Sequence, residues 1–240
     1  MNNPDDGHIF KRFDDEMAHL HNMVVEMGNL ALRQLQESVQ TLVNEDPETA
    51  KSVIKQDALL NDLDIQADLE ITRIIAKRQP MAKDLREIIA VGKIVAELER
   101  AGDEARKIAG LTVRFLDSGS TPPPPNILEY IVSLSDYVGD MLAVSVDAFD
   151  NLDLDTAALV LEKGIGLEQK LQEIVGRLGD AITENHDNVR HFVDIVLGIR
   201  ALERFGGHAK NIAGHIVFIT DGMDVRHEGD NSILEKLKNR

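Results

Sequence analysis

Apolar residues recur along this chain at alternating steps of three and four. The clearest run is Ile88, Val91, Val95, Leu98, Gly102, Ala105 and Ala109. That spacing is a heptad seam, the mark of a helix with one buried face. The same periodicity, with its breaks, predicts six long helices over about Ile9–Val43, Pro47–Lys77, Met81–Leu116, Asn126–Asn151, Asp153–Thr183 and Asp187–Thr220. Asn44-Glu45-Asp46-Pro47 stops the first helix and caps the second, which ends before Pro80. Pro122 to Pro125 forbid helix and favour a stiff, extended linker.

The pattern after the linker repeats the pattern before it. Leu98-Glu99-Arg100-Ala101-Gly102 through Gly110 returns 104 residues later as Leu202-Glu203-Arg204-Phe205-Gly206 through Gly214, with eight of thirteen positions identical. Asp46-Pro47-Glu48-Thr49-Ala50 and Asp153-Leu154-Asp155-Thr156-Ala157 are equivalent helix starts. The predicted fold class is therefore all-α: two tandem three-helix bundles related by internal duplication. Residues 1–117 form the first bundle, 118–125 the linker, 126–221 the second bundle and 222–240 a tail with a final helical turn or two. Gly102 and Gly206 sit mid-helix, where glycine costs about 1 kcal/mol against alanine. Their repetition predicts tight helix crossings.

Composition narrows the partners. A formal net charge of −16 excludes a nucleic-acid partner, because phosphate backbones need a basic surface. With no cysteine there is no disulfide framework, thiolate metal site or thiol nucleophile. No stretch approaches 18 uncharged apolar residues, so no membrane insertion is expected. The acidic N-terminus does not read as a signal peptide, and a cytoplasmic location is expected.

Two acidic rows run beside apolar seams. Glu99 and Asp103 stand four apart on the third helix, and Asp57, Asn61, Asp64 and Asp68 follow steps of four, three and four on the second. Crowded carboxylates must be neutralised by protons, by Arg or Lys, or by a metal ion. All-oxygen sites suit hard cations, or iron and manganese where carboxylates bridge. Glu99, Asp103, Asp57, Asn61 and Asp64 are thus candidate ligands for iron or another divalent cation, with Arg100 and Arg204 as partners orienting the carboxylates. The second copy is poorer: Gly207 stands in the place of Asp103, leaving Glu203 and Glu168 as a weak site. Asp62, Glu70, Glu87, Glu97 and Glu104 read as solvated faces with local pairs. Glu16 and His19 have the E-x-x-H spacing of di-iron bundles, but no second copy exists, and the pair reads as a surface feature. No P-loop, G-x-S-x-G or H-E-x-x-H occurs.

Ile74-Ile75-Ala76-Lys77-Arg78-Gln79-Pro80, then Asp84-Leu85-Arg86, then Glu97-Leu98-Glu99-Arg100-Ala101-Gly102-Asp103, resembles the PhoU family of phosphate-signalling regulators. So do the duplicated Leu202-Glu203-Arg204-Phe205-Gly206 and Arg226-His227 in the tail. The resemblance spans essentially the whole chain. It implies two three-helix bundles, often dimeric, and a non-enzymatic negative regulator of the phosphate-starvation response. Such a regulator works with the ATPase subunit of the phosphate-specific ABC transporter and with the sensor histidine kinase. It also implies metal binding in some members through E(D)-x-x-x-D motifs, which fall here on Glu99 with Asp103 and on the Asp57 and Asn61 row. The second motif falls on Glu203 with Gly207 and on Gly164 with Glu168, each pair lacking one acid. The competing expectation is a carboxylate-bridged metal enzyme or metal-storage bundle.

Overall fold

A computed structural model describes residues 4–117, 123–184, 189–225 and 228–238. Arg226 and His227, most of the proline linker and Asp187 lie outside them. The described residues form α1 (Pro4–Asn44), α2 (Pro47–Arg78), α3 (Ala82–Asp117), α4 (Pro125–Asn151), α5 (Leu154–Glu184), α6 (Val189–Asp221) and α7 (Asp230–Lys238). Helix α1 begins five residues before the predicted start, with Pro4 at its first position and Asp5 and Asp6 in its first turn. Proline is preorganised there, and acids suit the positive end of the helix dipole.

The punctuation works as its chemistry requires. The Asp46 carboxylate accepts the backbone N–H groups of Glu48 and Thr49 at the start of α2. Asp153 accepts the N–H of Asp155 and the hydroxyl of Thr156 at the equivalent start of α5. Both caps hold their carboxyls below the ordinary aspartate value, chiefly through the threonine hydroxyls. Gln79 adopts a left-handed backbone (φ 49) that ends α2 just before Pro80. Arg78 beside it donates to Glu16 on α1 at 2.8 and 2.9 Å, and Arg73 adds a third bond at 3.0 Å. Glu16 is thereby drawn below the ordinary glutamate value, chiefly by Arg78. That residue is a structural ion-pair hub.

Helices α1, α2 and α3 pack on one another, as do α4, α5 and α6, and α7 lies on α5. The two triplets also meet: α1 packs on α4, and α3 on α6 more extensively than any other pair. The core is consequently continuous, running from Leu20 and Val24 through Ile94 and Leu98 to Val138, Phe205 and Ile212. Four helices, α1, α3, α4 and α6, surround its centre, with α2 and α5 on the outside. Burial of this kind stabilises by about 25 cal/mol per Å² of apolar area removed from water.

Every residue of the predicted α3 seam is buried. Gly102 sits where a Cβ would stand 3.0 Å from both Gln34 Oε1 on α1 and Leu60 Cδ2 on α2. At Gly206 a Cβ would fall 2.6 Å from Leu167 Cδ2 on α5 and 2.9 Å from Val138 Cγ1 on α4. These are the tight crossings that the repeated glycines predicted. Gly198 plays the same part between units, since a Cβ there would lie 2.5 Å from Leu111 Cδ1 on α3.

Candidate functional site

The carboxylates of the first unit converge, and two of them, Asp57 and Asp103, close on a cation that sequence reasoning passed over. Glu99 and Asp103 on α3 and Asp57 and Asp64 on α2 come close enough to act on one another electrostatically. Desolvation first, then the charges of Asp103, Asp64 and Asp57, push the Glu99 carboxyl above the ordinary glutamate value. Asp64 is also raised, by desolvation and then by Asp68. Asn61 remains exposed.

Arg106, three residues beyond Asp103 on α3, reaches into this group. Its Nε lies 2.9 Å from Asp57 Oδ2 and its Nη2 donates to Asp103 Oδ1 at 2.8 Å. Asp57 is buried, and its other oxygen accepts a hydrogen bond from Gln34 Nε2 at 3.0 Å. Both oxygens of Asp57 and one of Asp103 are committed to nitrogen donors. Among the described residues no group of three or more His, Asp or Glu side chains is placed to hold a metal ion. For Asp57 and Asp103 the arrangement fits a guanidinium rather than a metal: their neutralisation comes from arginine, one of the three routes open to crowded carboxylates.

In the second unit Glu203 pairs with Arg200 one turn earlier on α6, while Glu168 is exposed on α5. A Cβ at Gly207 would meet nothing within 4 Å, so the space left by the missing acid is open.

The duplicated arginines do not orient Glu99 and Glu203. Arg100 turns to Glu97, with Nη1 at 3.6 Å from Oε1, and acts on Glu99 only as a weak distant charge. Arg204 reaches across the unit boundary to Glu104, with Nη1 at 3.5 Å. Both arginines line one cleft of about 470 Å³ between α3 and α6, together with Lys107, His208 and Asn211.

Glu97 and Glu104, expected on solvated faces, are instead buried. His208 Nδ1 lies 2.6 Å from Glu97 Oε2, and Asn211 Nδ2 donates to the same oxygen at 3.1 Å. Burial pulls the Glu97 carboxyl up, but these two hydrogen bonds together with the charges of His208 and Arg100 outweigh it and hold the group below the ordinary glutamate value. Glu104 accepts a 2.8 Å hydrogen bond from Lys107. A signal existed: Ala90, Ile94, Glu97, Ala101, Glu104, Ile108 and Leu111 form a second heptad seam on α3, facing α6. Two acids inside an otherwise apolar seam mark a buried polar contact.

Comparison with known proteins agrees with this architecture. The PhoU domain model matches twice, at residues 24–112 and 131–216. The chain is 32% identical over 232 residues to the phosphate-specific transport system accessory protein PhoU homolog of Pseudomonas aeruginosa, covering 97% of this chain and 95% of that one. It is also 32% identical over 230 residues to the accessory protein PhoU of Escherichia coli, covering 96% and 93%. The crystal structure of PhoU from Pseudomonas aeruginosa superposes with a TM-score of 0.81 at 30% identity, over 88% of this chain and all of that one. The phosphate transport system regulatory protein PhoU from Streptococcus pneumoniae shares the fold at a TM-score of 0.79 and 22% identity. These relatives are named as accessory and regulatory proteins. With a duplicated family domain, full-length relatives and a matching fold, the chain belongs to the PhoU family.

Proposed function

We propose that this protein is a negative regulator of the phosphate-starvation response, a cytoplasmic adaptor that couples the ATPase subunit of a phosphate-specific ABC transporter to a sensor histidine kinase. Family membership and the accessory role named for its full-length relatives support a part in regulating phosphate transport. Among the described residues no helix is long and apolar enough to cross a membrane, which suits a protein docking on the inner side of one.

One observation carries the adaptor reading. The two repeats are fused through α3 and α6 into one core, so a partner held by one unit is rigidly placed relative to the other. Two loosely tethered bundles would transmit little. Two bundles sharing a core present related faces at a fixed separation, which is what a bridge between two proteins needs. Homodimerisation belongs to the same reading, with Ile65 and Leu69 exposed one turn apart on α2 as an apolar contact.

Metal has no required part here. A divalent ion bound through Asp57 would have to displace Arg106, leaving a guanidinium without its buried partner. The metalloenzyme alternative has no further donor set among the described residues.

A strain lacking the gene, with the transporter and kinase intact, tests the proposal through a phosphate-responsive promoter. The expected result is high promoter activity in phosphate-replete medium, restored to repression by the gene in trans. Unchanged repression in the deletion strain would overturn the regulator reading.

A further inference from the structure

The outward layer of the α3–α6 seam has a charge arrangement opposite to that of the chain. Arg100, Lys107 and Arg114 stand at steps of seven on α3, and Arg200 and Arg204 rise beside them from α6. Their acidic counterparts lie underneath. The Arg100 and Arg204 side chains are 60% and 69% exposed, whereas Glu97 and Glu104 are 11% and 6% exposed. Each cation is anchored at its base: Arg100 by Glu97, Lys107 and Arg204 by Glu104, Arg200 by Glu203 and Arg114 by Asp194. A cation paired with a buried acid, as Lys107 and Arg204 are with Glu104, keeps donors facing solvent. The two clefts along this seam are lined by these five cations against three acids, Asp103, Glu104 and Glu203, a local reversal of sign on a chain of net charge −16.

The shape is a groove. The cleft of about 470 Å³ around Arg100 continues into one of about 690 Å³, the two sharing Glu104, Lys107 and Arg204. From Arg100 to Arg114 the row of cations runs fourteen residues along α3, roughly 21 Å at about 1.5 Å per residue. That length matches about four turns of helix. The larger cleft also has apolar walls in Leu111, Leu197 and Ala201. Around α6 it adjoins an apolar cleft of about 610 Å³ containing Val175 and Val196, to which Arg200 and Glu203 are common. Leu197, Val196 and Val175 are exposed.

We infer that the α3–α6 groove docks an acidic amphipathic helix of a partner protein, its carboxylates on the Arg100, Lys107 and Arg204 rim and its apolar ridge on Leu197 and Val196. Charge complementarity selects the acidic face. The adjoining apolar walls select a polypeptide over a small polyanion, which would leave Leu197 and Val196 uncovered. Helix-in-groove recognition uses this combination of apolar anchors and flanking charge. The inference rests on the adaptor reading and names the chemistry of one of its contacts.

Site-specific photo-crosslinking in living cells tests it, with a photoreactive amino acid in place of Leu197 in the full chain and mass-spectrometric sequencing of the crosslinked peptide. The expected product joins Leu197 to a partner segment with helical apolar periodicity and a net negative charge. Arg100→Glu/Arg204→Glu in the same chain is expected to reduce that product at least tenfold while α-helical circular dichroism stays close to that of the parent. Arg100→Lys/Arg204→Lys is expected to retain most of it. A crosslink to a basic or uncharged segment, to a second copy of this chain, or to nothing would overturn the inference. So would a product indifferent to the charge reversal. Repression of the phosphate-responsive promoter by the unsubstituted gene is scored in parallel. Loss of the crosslink with repression intact refutes this groove alone, whereas absent repression refutes the adaptor reading.

Discussion

His208 Nδ1 of α6 lies 2.6 Å from Glu97 Oε2 of α3, joining the two halves of a duplicated chain through a buried carboxylate. The residues that sequence equivalence pairs with them, Ala201 and Glu104, show that the seam is not a copied feature of each half. Glu97 has alanine as its counterpart, and His208 has glutamate. Duplication supplied two similar helices, and divergence gave them complementary charge where they meet.

Removing Glu97 tests how much that contact contributes. Glu97→Ala leaves the largely enclosed His208 without its acceptor and is expected to cost about 2 kcal/mol. A double-mutant cycle with His208→Ala in urea unfolding is expected to show a coupling of about 1 kcal/mol or more. Additivity within experimental error would mean that the pair does not hold the seam.

The same pair has a pH signature. The Glu97 carboxyl titrates lower in the folded protein than its ordinary value of 4.5. Its contribution is therefore present above that value and is lost as pH falls through the folded pKa. Glu97→Gln is expected to be less stable than the parent at pH 7, with the gap narrowing below about pH 4. Melting temperatures measured from pH 7 down to pH 3 check this, and a constant gap would count against it.

Glu99 has the opposite sign. Its folded-state pKa is raised, so the ionised group opposes folding at neutral pH, and that burden disappears once acid protonates it. Glu99→Gln is expected to stabilise the protein at pH 7 by a few tenths to about 1 kcal/mol, and to do nothing near pH 4. Destabilisation at pH 7 would show that the Glu99 charge is satisfied by something outside this chain.

Arg106 is the counter-ion of Asp57 and Asp103. Arg106→Met keeps much of the stem but strips the charge from buried Asp57, at an expected cost of about 3 kcal/mol. Addition of Mg²⁺ or Mn²⁺ is expected to restore part of the lost Tm in the variant while leaving the parent unmoved. A parent protein whose Tm rises steeply with either ion would contradict the assignment.

The two repeated glycines differ in how much room they have. Gly206→Ala drives a Cβ into Leu167 and Val138, both buried, and overpacking outweighs the helix-propensity gain. The expected loss is about 1–2 kcal/mol. Gly102→Ala, facing the flexible end of Gln34 at 3.0 Å, is expected to stay within about 1 kcal/mol of the parent. Thermal unfolding of the two variants ranks them.

Much of the fold was legible because helix boundaries are local chemistry: Asp46 and Asp153 cap, and Pro80 and Pro125 punctuate. The buried α3 seam was legible because its period is regular. The rest depends on which helix faces which. Glu99 and Asp103 were visible as crowded acids, but Arg106 was not visible as the bridge from Asp103 to Asp57 until α2 and α3 stood side by side. Arg100 and Arg204 stood out through repetition, and repetition cannot show that the two copies converge on one cleft. Glu97 and Glu104 carried a readable sign, a second heptad containing acids. The nearness of Arg100 and Lys107 made them look solvated, and only the packing of α6 buries them.

The account turns on the two repeats forming one body across α3 and α6. The absence of cysteine allows a single fluorescent label to be placed at will, one on α2 at Leu59 and one on α5 at Leu159, both exposed. Equilibrium urea unfolding followed at each label should give coincident single transitions, and Glu97→Ala should shift both midpoints together. Two separate transitions, with the variant moving only the α2 signal, would contradict a shared core and with it the rigid bridge on which the adaptor reading depends.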